Sequence, residues 1–143
     1  MDKIIKKIRK YYLPLLILLS LILLFWGIQF GLPQLLHDDE QAFVKRALRF
    51  GSGDLNPHFF FYPSLYMYIL FVAYGIYFVL GIILGLFSSV REFAYSYIRN
   101  PTYIYLIGRS ISALFATATI WMTYFVGKKI YGRIFGLLAG FFL

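Results

Sequence analysis

From position 11 to position 36 the chain carries no charged residue. At about 1.5 Å of rise per helical residue, a run of that length crosses a hydrocarbon layer roughly 30 Å thick. Two more long apolar regions follow, 64–87 and 104–126, and a shorter one, 134–143, ends on Leu143. With 61% hydrophobic, 22% aromatic and 14% charged residues, the chain cannot cover itself with an ordinary water-facing surface. The expected fold class is therefore an all-α polytopic membrane protein.

The segment before the first apolar run holds Lys3, Lys6, Lys7, Arg9 and Lys10. By the positive-inside tendency this block keeps the N-terminus in the cytoplasm and sends the first helix outward. The apolar run exceeds the roughly 7 to 15 residues of a signal-peptide core, and no small-residue cleavage site follows, so it reads as a retained anchor. The net charge of +8 flanks apolar spans instead of forming a basic face, which argues against nucleic acid and for anionic membrane lipids as partners. With no cysteine there is no disulfide, thiolate metal site or cysteine nucleophile.

The expected order is a cytoplasmic tail over 1–10, a first span over 11–36, an outer loop over 37–63 and a juxtamembrane, re-entrant or second spanning helix over 64–101. A span over 102–127 and the start of a further one over 134–143 complete it. The last region is too short to cross, so the chain reads as the N-terminal part of a longer protein. If every long apolar region crosses, Lys128, Lys129 and Arg133 fall outside, against the positive-inside tendency. If 64–87 dips in and returns, or lies along the outer interface, they fall inside. The residues leave both open. Small residues recur every four positions in Gly27 with Gly31, Gly81 with Gly85, Gly108 with Ser112 and Ala116, and Gly132 with Gly136 and Gly140. Such stripes predict close helix packing and carry no catalytic role.

Of six carboxylates in the chain, three are consecutive: Asp38, Asp39 and Glu40. They precede an amphipathic stretch, Gln41 to Phe50, that suits a helix in the outer interface plane with its apolar face down. Asp38 or Asp39 can cap that helix, and Glu40 complements its dipole. A carboxylate held at a membrane surface also remains available as a base, so the two roles are compatible. Arg46 and Arg49 are candidates for a lipid phosphate or for snorkelling to head groups. His58, in an aromatic, proline-bounded turn, is a candidate for a phosphate or a sugar hydroxyl. Arg109 lies inside an apolar region, where a charge is usually paired or near water. No metal-ligand set, phosphate loop or hydrolase triad is present. A divalent cation stays open as a cofactor.

In order and spacing, these elements resemble the N-terminal part of GT-C glycosyltransferases, close to the protein O-mannosyltransferase and aminoarabinose transferase group. The resemblance rests on Asp39-Glu40 after the first span, on Pro63-Ser64-Leu65, and on Arg109 leading into Ser112-Ala113-Leu114, with Lys128-Lys129-Ile130-Tyr131-Gly132 beyond. It implies transfer of a sugar from a polyprenyl-phosphate carrier to a protein, lipid or glycan acceptor on the outer face of the cell membrane, the fragment alone being inactive. It assigns the base or acceptor-orienting role to Asp39, with Glu40 beside it. It also implies that the region after Pro63 belongs to the outer loop. The basic residue that often precedes the proline element is Tyr62 here, which shifts carrier binding to Arg46, Arg49, His58 or Arg109. The alternative is a non-catalytic membrane subunit or transporter half in which the acidic triplet is a cap or an ion site.

Overall fold

A computed structural model describes residues 11–34 and 38–143. The basic block over 1–10 and the end of the first apolar run lie outside the described residues. Everything regular among the described residues is helical: α1 (Tyr12–Phe25), α2 (Asp38–Arg49) with a 3-10 turn (Phe50–Ser52), α3 (Leu65–Ile83), α4 (Val90–Arg99), α5 (Thr102–Tyr131) and α6 (Arg133–Phe141). By length and composition, α3 and α5 are long and apolar enough to cross a membrane. The chain divides into two compact units, a terminal one made of residues 11–28 with Ser110–Leu143 and a central one, Gln29–Arg109.

In the terminal unit the first apolar run is shorter as a helix than expected. α1 has 14 residues, about 21 Å, and turns follow it. Gly27 and Gly31 explain the stop, because their φ angles of 72° and 74° lie in the left-handed region that ends a helix. Their four-residue spacing thus falls on two turns.

The stripe on α6 is a real contact surface. A Cβ on Gly136 would lie 2.5 Å from the Tyr124 carbonyl oxygen and 2.7 Å from the Lys128 nitrogen, and one on Gly127 2.9 Å from the Gly136 Cα. Gly140 meets Ile120 and Leu16. Contacts that step back along α5 as α6 advances define an antiparallel hairpin with α1 against it. Gly132, at φ 92°, turns the chain between the two helices and packs on nothing. The buried hydroxyls of Ser20 and Thr117 are satisfied locally: Ser20 donates to the Ile17 carbonyl at 2.8 Å and Thr117 to that of Ala113 at 3.0 Å.

The central unit is built on α2 against α3. Val44, Ala47 and Phe50 are buried, as are Met67 and Leu70 opposite them. Phe50 stacks on Tyr68 with centroids 4.9 Å apart, and Phe43 meets Tyr66 edge to face at 5.5 Å. The apolar face of α2 is thus spent on α3 instead of lying open to lipid. A 12-residue helix is marginal alone, and burial of a Phe or Leu contributes about 1.5–3 kcal/mol, so packing on α3 holds α2 in place.

α3 is one continuous helix through Gly75 and Gly81, and ends where Gly85 takes φ 72°. A Cβ at Gly81 would collide with the Phe87 ring, so this glycine seats the chain reversal. The next helix, α4, was not read from the sequence. Its start is a capping box in which Ser89 Oγ accepts from the Glu92 amide at 3.2 Å while Glu92 Oε2 accepts from the Ser88 amide at 2.6 Å. Phe87 and Phe93 pack with Tyr77 and Phe78 and fold α4 back along α3.

Candidate functional site

All six sequence-identified site residues belong to the central unit, and most lie on α2 or opposite it. The acidic triplet occupies the first turn of α2, where the positive end of the helix dipole favours carboxylates. The position that would cap the helix lies outside the described residues.

Glu40 and Arg109 are joined as a two-pronged ion pair, with Arg109 Nε donating to Glu40 Oε1 and Nη2 to Oε2, each at 2.8 Å. Arg109 Nη1 also donates to the Phe30 carbonyl at 2.8 Å. The pair is half-buried, with side-chain exposures of 15% for Arg109 and 30% for Glu40. The apolar location of Arg109 is explained by this pairing. Both Glu40 oxygens are engaged by the guanidinium, so Glu40 holds Arg109 in this structure.

Asp39 is exposed. The Tyr62 hydroxyl approaches its Oδ1 to 3.5 Å, longer than an ordinary hydroxyl–carboxylate bond. Tyr62, where a cation was expected, therefore faces the triplet. Seven residues on, Arg46 occupies the same face of α2, about 10 Å along the axis. Its guanidinium stacks 3.7 Å above the Phe59 ring and its Nη1 donates to the Ala42 carbonyl at 2.8 Å. The rings of Phe59 and Tyr62 touch, centroids 5.8 Å apart, and so run along this face from Arg46 to Asp39.

His58 belongs to a hydrogen-bonded turn. Asp54 Oδ1 accepts from the Asn56 amide at 2.9 Å, Asn56 Oδ1 from the His58 amide at 3.0 Å, and His58 Nε2 lies 2.8 Å from Asp54 Oδ2. His58 takes φ 49°, a conformation that these bonds offset. The Asn56 amide foremost, then the His58 ring and the Arg49 charge, hold the Asp54 carboxyl below the usual aspartate value. The sequence reading gave Asp54 no site role, although Asp54, Asn56 and His58 at alternate positions form an Asx pattern. Arg49 is exposed, and its charge acts on Asp54. Among the described residues no three His, Cys, Asp or Glu side chains gather as a metal site.

The arrangement offers an exposed carboxylate and a stacked guanidinium on one helix face, beside a structural ion pair. Comparison with protein-family models, with curated proteins and with solved structures gives no match.

Proposed function

We propose that the chain is the N-terminal part of a polytopic membrane glycosyltransferase of GT-C type, which moves a sugar from a polyprenyl-phosphate carrier to an acceptor on the outer face. The membrane reading is supported by α3 and α5, whose apolar side chains are largely exposed, among them Leu65 at 69%, Ile83 at 72% and Leu114 at 55%. Lipid is the solvent such surfaces require.

The transfer reading is carried by the shared face of Asp39 and Arg46. A sugar phosphate brings its own leaving group, so the enzyme must accept a proton and stabilise the departing phosphate. Asp39 takes the proton of the acceptor hydroxyl as its oxygen attacks the anomeric carbon. The carbon–oxygen bond to the carrier phosphate breaks with inversion, and its electron pair leaves on the phosphate, next to Arg46. About 10 Å between the two positions leaves room for a sugar ring. Glu40 and Arg109 fix the start of α2.

The test is transfer of labelled sugar from its polyprenyl-phosphate donor by membranes that hold the full gene product. Asp39→Asn is expected to abolish transfer with unchanged protein level, and Arg46→Ala to raise the apparent Michaelis constant for the donor while leaving that for the acceptor alone. Transfer by Asp39→Asn within a few-fold of the parent sinks the assignment. The second reading, a non-catalytic subunit or transporter half, is favoured by the wholly internal use of the Glu40 carboxylate. That reading predicts loss of assembly in Glu40 variants and no effect of Asp39→Asn.

A further inference from the structure

A cleft of the central unit lies apart from the Asp39–Arg46 face and from the Glu40–Arg109 pair. This cleft, about 550 Å³, lies between the end of α2 with its 3-10 turn, the middle of α3, and α4. Its volume falls in the range of roughly 300–1,000 Å³ typical of small-molecule sites. Its walls are Phe71, Phe78, Val90 and Phe93, with the Tyr97 ring beside them, and at the α2 end it opens on Lys45 and Ser52. Lys45 is the one charged residue in the lining among the described residues, and none of the described lining residues is a carboxylate. The Lys45 ammonium donates to Gln41 Oε1 at 2.9 Å and, with three donors in all, keeps two for another acceptor.

One position shows unfilled space directly. Gly75 lines the cleft, and a Cβ built on it meets nothing within 4 Å. A glycine in mid-helix costs about 1 kcal/mol against alanine, and here no close backbone contact or left-handed φ requires it. From Phe71 to Phe78 the apolar trough runs about 10 Å along α3. A cationic rim over an aromatic trough, free of acidic groups, matches a molecule with a negative head and a hydrocarbon tail.

The geometry points to a lipid site: one anionic phospholipid sits here, its phosphate on Lys45 and Ser52 and an acyl chain in the trough past Gly75 toward Phe78 and Phe93. This site depends on the chain being in a bilayer but not on the glycosyl-transfer reading, so loss of transfer by Asp39 variants leaves it untouched.

The experiment is native mass spectrometry and thermal unfolding of the full chain in detergent, titrated with phosphatidylglycerol, phosphatidylcholine or inorganic phosphate. One phosphatidylglycerol per chain is expected to survive detergent removal and to raise Tm, with phosphatidylcholine held at least tenfold more weakly and phosphate without effect. Lys45→Gln is expected to abolish the preference between the two lipids. Gly75→Leu fills the trough from a position with space for a side chain and improves helix propensity. It is expected to keep or raise the lipid-free Tm while retention of phosphatidylglycerol falls at least tenfold. Retention by Gly75→Leu equal to the parent, equal binding of the two lipids, or equal protection by inorganic phosphate overturns the proposal. If Gly75→Leu misfolds, Ala94→Leu on the facing wall supplies the same arm.

Discussion

Glu40 and Arg109 lie 69 positions apart and meet through two parallel hydrogen bonds of 2.8 Å. At side-chain exposures of 30% for Glu40 and 15% for Arg109, neither group is solvated enough to lose its partner at no cost. Glu40→Gln and Arg109→Gln are each expected to destabilise the chain by about 1–3 kcal/mol. The double variant should lose clearly less than the sum, because each single change strands the other charge. Arg109→Lys should recover only part of the loss, since an ammonium cannot span both carboxylate oxygens. Thermal unfolding of the four chains in one detergent measures the coupling. Strict additivity would show that the pair is incidental.

Each half of that pair was visible in the sequence, Glu40 as part of a costly acidic cluster and Arg109 as a charge in an apolar run. Their meeting was not, because no local spacing encodes a contact across 69 positions. Local signals had the opposite fate where two meanings share one pattern. Gly27 with Gly31 and Gly136 with Gly140 look alike as four-residue spacings, yet the first pair supplies positive φ and the second a surface for a neighbouring helix. Ser89 and Glu92 spelled a capping box before α4 and went unread, since the apolar run ahead of them dominated the reading of that region. The amphipathic period of α2 was correctly legible, but its partner was α3 and not lipid. Periodicity tells which face is buried and not what buries it.

The two kinds of glycine should separate experimentally. Gly136→Ala places a methyl 2.5 Å from the Tyr124 carbonyl oxygen, where only backbone can move aside. It is expected to cost about 1–3 kcal/mol, as overpacking does elsewhere. Gly75→Ala has open space and gains helix propensity, and should be neutral or stabilising by up to about 1 kcal/mol. Unfolding temperatures that rank the other way would refute the close α5–α6 contact.

The Asp54 turn predicts a pH response with a definite sign. The Asn56 amide, chiefly, and the His58 side chain favour the charged carboxylate, so its value in the folded chain lies below the ordinary one. Its contribution is fully present above the ordinary aspartate value and is lost as pH falls through the lowered one. Carboxyl carbon resonances should show Asp54 titrating below a reference aspartate. Asn56→Pro, which removes the amide donor, should raise the midpoint more than His58→Phe. An unchanged midpoint in both variants would mean that the turn does not hold Asp54.

The bond from Arg109 to the Phe30 carbonyl, 2.8 Å long, also bears on a question of topology that hydropathy leaves even. The central unit runs from Gln29 to Arg109, so this contact brings its two ends together. An excursion that leaves and returns at one point crosses a bilayer an even number of times. If α3 crossed, another helix of the unit would have to cross back. α2 and α4 have 12 and 10 residues, about 18 and 15 Å, and the part of α5 inside the unit adds eight, about 12 Å, so no single return helix matches a hydrocarbon layer of roughly 30 Å. α3 is therefore expected to lie along or dip into one leaflet despite its 19 apolar-rich residues. With α3 uncrossed, Lys128, Lys129 and Arg133 are expected on the side the positive-inside tendency prefers. The chain has no cysteine, so single cysteines can be read without background. With an impermeant thiol reagent, cysteines at Ser52 and Ser89 should both label from outside, and one at Arg133 only after the membrane is opened. Labelling of Ser52 from outside with protection of Ser89 would mean that α3 crosses and that the Phe30–Arg109 contact does not close the unit.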